Sequence, residues 1–147
     1  MNKFTLYSLN FANGHVIPDK FTCNGLGNFP SLIWTNSPLS TVSYILLLVD
    51  PDKLDGTFYH LILYNIPATI TQFQENQLIG HFAINSSGNT NYVPPCPPPA
   101  DTHRYIFYLY AVDAILPRTN NLLELWQSAA NHIVGVASIV GRVTGTS

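Results

Sequence analysis

The sequence predicts a mainly β domain with packed sheets and one late helix, and three observations predict it. Six short segments have the β-branched, aromatic or continuously apolar content of strands. Only one segment repeats its apolar residues at helical spacing. Eleven prolines and nine glycines interrupt the 147-residue chain often, as expected for strands joined by turns. At this length one domain, residues 1–147, is the expectation.

Taken in order, residues 4–11 alternate imperfectly and residues 31–35 form a short second strand. Residues 43–49 are continuously apolar, as in a strand covered on both faces. Residues 59–66 stop at Pro67, residues 105–112 stop before Pro117, and residues 135–144 are β-branched and apolar. The helix is expected near residues 120–133. Leu122, Leu125, Trp126, Ala129, Ala130 and Ile133 fall on one face. Asn121 is a cap with Glu124 three residues on. His132 suits the negative helix end, and Gly135 suits the stop. Between Pro67 and His103 lies a long irregular stretch in which 82–84 is a candidate short strand. Loops of this length inside a compact domain are often functional.

Composition excludes several roles. Charged residues are 10% of the chain, against the ~25% usual for soluble proteins, and hydrophobic residues are 46%. A disordered chain has the opposite balance. The net charge of −2 and the lack of a basic run leave nothing to neutralise nucleic-acid phosphates. Apolar runs are far shorter than the ~20 residues of a membrane span. Residues 1–20 show no secretory pattern, and Cys23 and Cys96 allow at most one disulfide. These two points favour a reducing, cytoplasmic setting.

Three segments could build one site. Asp50-Pro51-Asp52 follows the most buried strand, and in extended chain its two carboxylates would point the same way. An ordinary turn is the plainer alternative. His60 lies within a strand, where alternation puts it on a face with Ile62 and Tyr64; a lone hydrogen-bonded structural histidine is its plainer alternative. Residues 94–99 hold five prolines, a stiff extended wall, and lead into His103-Arg104-Tyr105. In that strand His103, Tyr105, Phe107 and Leu109 share one face, and Arg104 and Ile106 the other.

The order Asp-Pro-Asp, strand His, Pro-Cys-Pro-Pro, His-Arg-Tyr resembles the phosphatidylethanolamine-binding protein family, which includes Raf kinase inhibitor proteins and plant flowering regulators. Phe21-Thr22-Cys23-Asn24-Gly25, Pro30-Ser31-Leu32-Ile33-Trp34 and Tyr64-Asn65-Ile66-Pro67-Ala68 resemble its short bacterial and archaeal branch. The resemblance implies an antiparallel β-sandwich-like fold, a large central sheet plus a smaller one, with a small anion pocket. It implies that Asp50, Asp52, His60, Pro97, Pro98, His103 and Tyr105 line that pocket, which accepts phosphate-type groups such as phospholipid head groups. It implies a binding protein without cofactor, in some members a regulator of a kinase or an inhibitor of a protease. Three departures stand out. Lys53-Leu54 replaces a frequent Ala-Pro, Pro94 replaces a glycine, and the animal members' C-terminal helix has no counterpart after the last strand.

Two neighbouring carboxylates should raise the pKa of at least one of them, while His60 and His103 supply the charge that meets a phosphate. Phosphoethanolamine suits that arrangement, its ammonium meeting a carboxylate, and binding should tighten in mild acid. The alternative is a hydrolase in which the Asp/His cluster holds a metal or does acid–base work. The spaced ligand pair and nucleophile elbow of known hydrolases are missing, so binding is favoured. Cys96 reads as an inert structural cysteine rather than a nucleophile. An exposed Tyr92 near the pocket mouth would suit a protein partner, and the scarcity of charge makes a homodimer plausible.

Overall fold

The structure, a computed structural model, describes residues 2–146. Its elements in order are β1 (Thr5–Tyr7), β2 (His15–Val16), a single 3-10 turn (Asp19–Phe21), β3 (Leu32–Thr35), β4 (Ser43–Asp50), β5 (Phe58–Pro67), β6 (Gln72–Phe73), β7 (His81–Phe82), β8 (Thr102–Val112), α1 (Leu122–Ala129) and β9 (Ile133–Thr144). They form a six-stranded sheet, β2-β9-β8-β4-β5-β7, and a three-stranded sheet, β1-β3-β6. Neighbouring strands run antiparallel except β2 and β9, which are parallel.

All eight residues of β4 are buried, which explains its unbroken apolar sequence. One face, with Leu46 and Leu48, packs with Leu61, Leu63, Phe107 and Leu109 against Leu32, Trp34 and Phe73 of the small sheet. The other face, with Ile45, Leu47 and Val49, packs with Ile62 and Val112 beneath Leu125 and Ala129 of α1. Each of the buried Leu, Ile, Val and Phe side chains contributes about 1.5–3 kcal/mol on burial. The central sheet is therefore sandwiched between a second sheet and a helix, and its strand ends are the exposed feature left to carry a site.

The six expected strands and the helix are present, with corrections to the bounds of the first strand and of the helix and with β8 starting earlier, at Thr102. The first strand is only Thr5–Tyr7, because Ser8 and Ser31 hydroxyls capture the amides of Asn10 and Leu9 (both 3.1 Å) and turn the chain away from the ladder. The helix stops at Ala129 rather than 133. Its start is as expected, with the Asn121 side chain accepting from the Glu124 amide at 3.0 Å. Its end differs because Ile133 and Gly135 belong to β9. Gly135 is needed there for close approach, since a Cβ would sit 2.9 Å from Pro38 Cγ. The His132 side chain bonds Asp113 at 2.8 Å, while its amide donates to the Ala129 carbonyl at the helix end, also at 2.8 Å.

Three two-residue strands, β2, β6 and β7, were too short to leave a periodic trace. The 82–84 candidate overlaps β7 at Phe82 alone. The rest of the irregular 67–103 stretch is organised by the buried Asn85 side chain. Its Nδ2 donates to the Asn91 carbonyl at 2.8 Å, and its Oδ1 accepts from the Ser87 amide and hydroxyl. One polar side chain thus replaces a secondary-structure ladder and fixes the approach to the proline run.

Candidate functional site

The carboxyl end of β4 and the amino ends of β5 and β8 lie side by side at one edge of the central sheet, with Asp50 paired to Phe58 and Val49 to Ile106. A cavity of about 130 Å³ opens there. Asp50, His60, Pro97, Pro98, His103 and Tyr105 line it, joined by Lys53, Phe58, Val93, Pro94 and Cys96. Six of the seven residues singled out in the sequence therefore converge. A larger cleft of about 540 Å³, with Tyr64, His81 and Arg118 in its lining, contains none of them.

The seventh, Asp52, requires a correction. Residues 51 and 52 form a turn, held by the Asp52 amide donating to Asp50 Oδ1 at 2.8 Å, so the plainer turn alternative is the one realised. The turn sends the two carboxylates in different directions. Asp52 accepts from Arg104 Nε at 3.0 Å, from Nη2 at 2.8 Å and from the Arg104 amide at 2.8 Å. Arg104 holds its pKa down to about 2, against an ordinary 3.8. The elevation expected for at least one of the two acids does not occur at Asp52, because its hydrogen bonds to Arg104 outweigh the cost of its burial.

Asp50 is 2% exposed and His103 8%. They form a buried pair in which His103 Nδ1 donates to Asp50 Oδ2 at 2.6 Å. This contact fixes the ring and leaves Nε2 as its remaining nitrogen. His103, Tyr105, Phe107 and Leu109 alternate inward along β8 as the sequence implied, while Arg104 points outward, where it meets Asp52.

His60 is not on the face with Ile62 and Tyr64, as strict alternation implied. Register slips between Leu48, paired to Leu61, and Val49, paired to Tyr59, so His60 is the extra residue of a β-bulge. Bulges re-aim side chains beside functional sites. This one turns His60 onto Tyr105 (ring centroids 5.3 Å apart) and beside Phe58 (4.8 Å), while Ile62 and Tyr64 face the helix side. His60 Nδ1 donates to the Val93 carbonyl at 2.8 Å, and the Val93 amide donates back to the His60 carbonyl at 3.0 Å. The exchange ties the proline wall to the central sheet. Burial pushes the His60 pKa down despite that bond. Burial, reinforced by the Asp50 charge, pushes the Tyr105 phenol up, so it stays protonated and able to donate.

Cys23 and Cys96 form a disulfide. Cys96 thus has no free thiol, and its neighbour Pro95 accepts from the Cys23 amide at 3.0 Å. Tyr92 is not an exposed mouth residue. It packs edge-on against the buried Phe29 at 4.9 Å and reaches the Phe21 carbonyl. Among the described residues no group of three His, Cys, Asp or Glu side chains is arranged to hold a metal ion, and no helix is long and apolar enough to cross a membrane. Lys53, Phe58 and Val93 were missed as lining residues. Phe58 was recoverable, being two residues before His60 in one strand; Lys53 and Val93 depend on loop paths.

A sequence model described as phosphatidylethanolamine-binding protein matches residues 7–144. The chain belongs to the phosphatidylethanolamine-binding protein family. A UPF0098 protein of Chlamydia muridarum is 35% identical over 92% of this chain and 95% of its own length. The crystal structure of a phosphatidylethanolamine-binding protein homologue from Chlamydia trachomatis superposes with a TM-score of 0.91, at 33% identity, covering 97% of this chain and 98% of that one. The Escherichia coli YbcL structure, described as a member of the mammalian family, shares the fold with a TM-score of 0.87 at 23% identity, over 97% and 99% of the two chains. The two-sheet architecture is thus that of phosphatidylethanolamine-binding proteins, and the cavity at the strand ends is the candidate site of this family member.

Proposed function

We propose that this family member is a non-enzymatic binding protein whose cavity receives one phosphate-type group. The observation that carries the reading is the convergence of His103, His60, Tyr105 and Lys53 on a cavity of about 130 Å³, small enough for a single polar head. His103 and His60 are each anchored through Nδ1, to Asp50 and Val93, so both rings are held in place before a ligand arrives. Such preorganisation lowers the cost of binding. The Tyr105 hydroxyl adds a donor. Engagement of Cys96 in a disulfide supports binding over nucleophilic hydrolysis.

Calorimetric titration of inorganic phosphate should give a saturable isotherm of one site per chain, lost in the His60→Ala/His103→Ala double variant while that variant still melts cooperatively. Failure of the folded wild-type protein to bind at millimolar phosphate overturns the reading, and so does steady turnover of a chromogenic phosphate ester. The disulfide also supports an oxidising compartment rather than the cytoplasm, since such bonds rarely persist in a reducing one. Fractionation of the native host with thiol labelling checks this, free thiols at both positions being the contrary result.

A further inference from the structure

We propose that the cavity selects a dianionic phosphate, free or esterified to a neutral group, over a phosphate bearing an ammonium arm, and that Lys53 sets the preference. The inference rests on the reading of the cavity as a phosphate site. An ammonium arm needs a carboxylate to meet it, and none stands ready. Asp50 Oδ1 already accepts from the Asp52 amide, and Oδ2 from His103. Its side chain is only 3% exposed. Asp52 gives both oxygens to Arg104 and is not part of the lining. An incoming ammonium would have to share a buried Asp50 oxygen with the Asp52 amide or the His103 imidazole, or reach past the lining to an Asp52 already held by the Arg104 guanidinium.

The charge that does stand ready is positive. Lys53 lines the cavity, and its Nζ rests 5.2 Å from the Phe58 ring centroid. The ion pairs among the described residues involve Lys20, His103, Arg104 and His132, and leave Lys53 without a carboxylate partner. Phe58 meets His60 edge-on, and His60 meets Tyr105 in the same way. Lys53 therefore stands at the end of a row of three rings forming one wall, with its charge held near the ligand by a cation–π contact. It attracts a phosphate dianion and repels an ammonium, and the small volume keeps any ammonium arm within range of it. Lys53 falls where the family often carries alanine, so the preference belongs to this chain's own sequence.

The test is calorimetric titration of wild-type, Lys53→Ala and Lys53→Arg proteins with inorganic phosphate, methyl phosphate and O-phosphoethanolamine at about pH 7.5, where the phosphate is mostly dianionic. Wild type should bind the first two with similar affinity and phosphoethanolamine about tenfold more weakly. Lys53→Ala should lose about tenfold for the first two and bind all three alike, and Lys53→Arg should retain the preference. Lys53 is exposed, and a thermal melt confirms that the variants fold. If wild type binds phosphoethanolamine as tightly as phosphate, the selectivity is overturned while the phosphate site stands. If phosphate binds equally well to Lys53→Ala, the role of Lys53 is overturned. If none of the three ligands binds wild type, the phosphate site fails and the selectivity with it.

Discussion

Removal of the Cys23–Cys96 bond should destabilise the fold by an amount set by loop length. The two residues are 73 apart in sequence, so in the unfolded chain the bond closes about half of the molecule into a ring. Chain-entropy reasoning assigns a ring of that size about 15 cal/mol/K, or about 4.4 kcal/mol at room temperature. A chain of this length has an unfolding entropy of about 0.3 kcal/mol/K, so the loss corresponds to a melting temperature lower by about 14 °C. The Cys23→Ser/Cys96→Ser variant should show it as a lower urea midpoint, with the slope increased because its unfolded state is more expanded. The bond also pins the proline run that walls the cavity, because Cys96 is itself in the lining. Phosphate affinity should therefore fall in the same variant under conditions where it is still folded. A midpoint shift worth less than about 1 kcal/mol would refute the entropic reasoning, since it would leave most of the ring-closure contribution unaccounted for.

Four further outcomes are expected. His103→Ala strands the Asp50 carboxylate in a buried site and should cost about 3 kcal/mol in urea denaturation, as breaking a buried pair generally does; a loss under about 1 kcal/mol means water reaches Asp50 freely. Because burial holds the His60 pKa below its ordinary value, the unfolded chain binds the extra proton first. Stability should therefore decline as pH falls below about 6.5, until the folded ring itself titrates, and His60→Gln should flatten that part of the profile. The Asp52 carboxyl, lowered from 3.8 to about 2, contributes stability that is present above 3.8 and lost as pH falls toward 2; the acid-unfolding curve of Asp52→Asn should lack that component. Asn85→Ala removes a side chain that organises the approach to the proline wall and should cost about 2 kcal/mol, read as a lower melting temperature together with weaker phosphate binding.

Much of the architecture could be read from the residues because it depends on burial. A strand covered on both faces must be apolar throughout, so β4 was visible in the sequence at nearly full length. The helix start was visible because Asn121 and Glu124 make a local bond that needs nothing from the rest of the fold. The helix end was not, because the termination at Ala129 follows from the long pairing of β9 with β8, which recruits Ile133. The same distinction runs through the site. His103 and Tyr105 were assigned to the right face because β8 pairs with β9 without a slip from Thr102 to Ala111. His60 was placed on the wrong one because period-two reasoning assumes an unbroken ladder, and a bulge is a property of two paired strands that neither reveals alone. Asp52 was misdirected for a related reason. Arg104 lies 52 residues away, and only the fold brings it to the turn.

These two misplacements explain how a cavity with aspartates at its edge can accept an anion. An unpaired carboxylate at about 6 Å from a phosphate charge would oppose binding by about 3 kcal/mol per charge at an effective dielectric near 20. With both aspartates open, the repulsion would cancel most of what two hydrogen-bonded histidines contribute. The turn at Pro51 separates the acids and delivers each to a basic partner on a different face of the same strand, Asp50 to His103 inside and Asp52 to Arg104 outside. Each acid then orders a donor-bearing residue before any ligand is present, and the bulge adds His60 from the neighbouring strand. On this reading the aspartates are positioning residues rather than ligand contacts. Asp50→Asn should therefore weaken phosphate binding through disorder of the His103 ring, visible as a broadened imidazole resonance. Tighter binding with an unchanged His103 resonance would show instead that Asp50 acts only as a repelling charge.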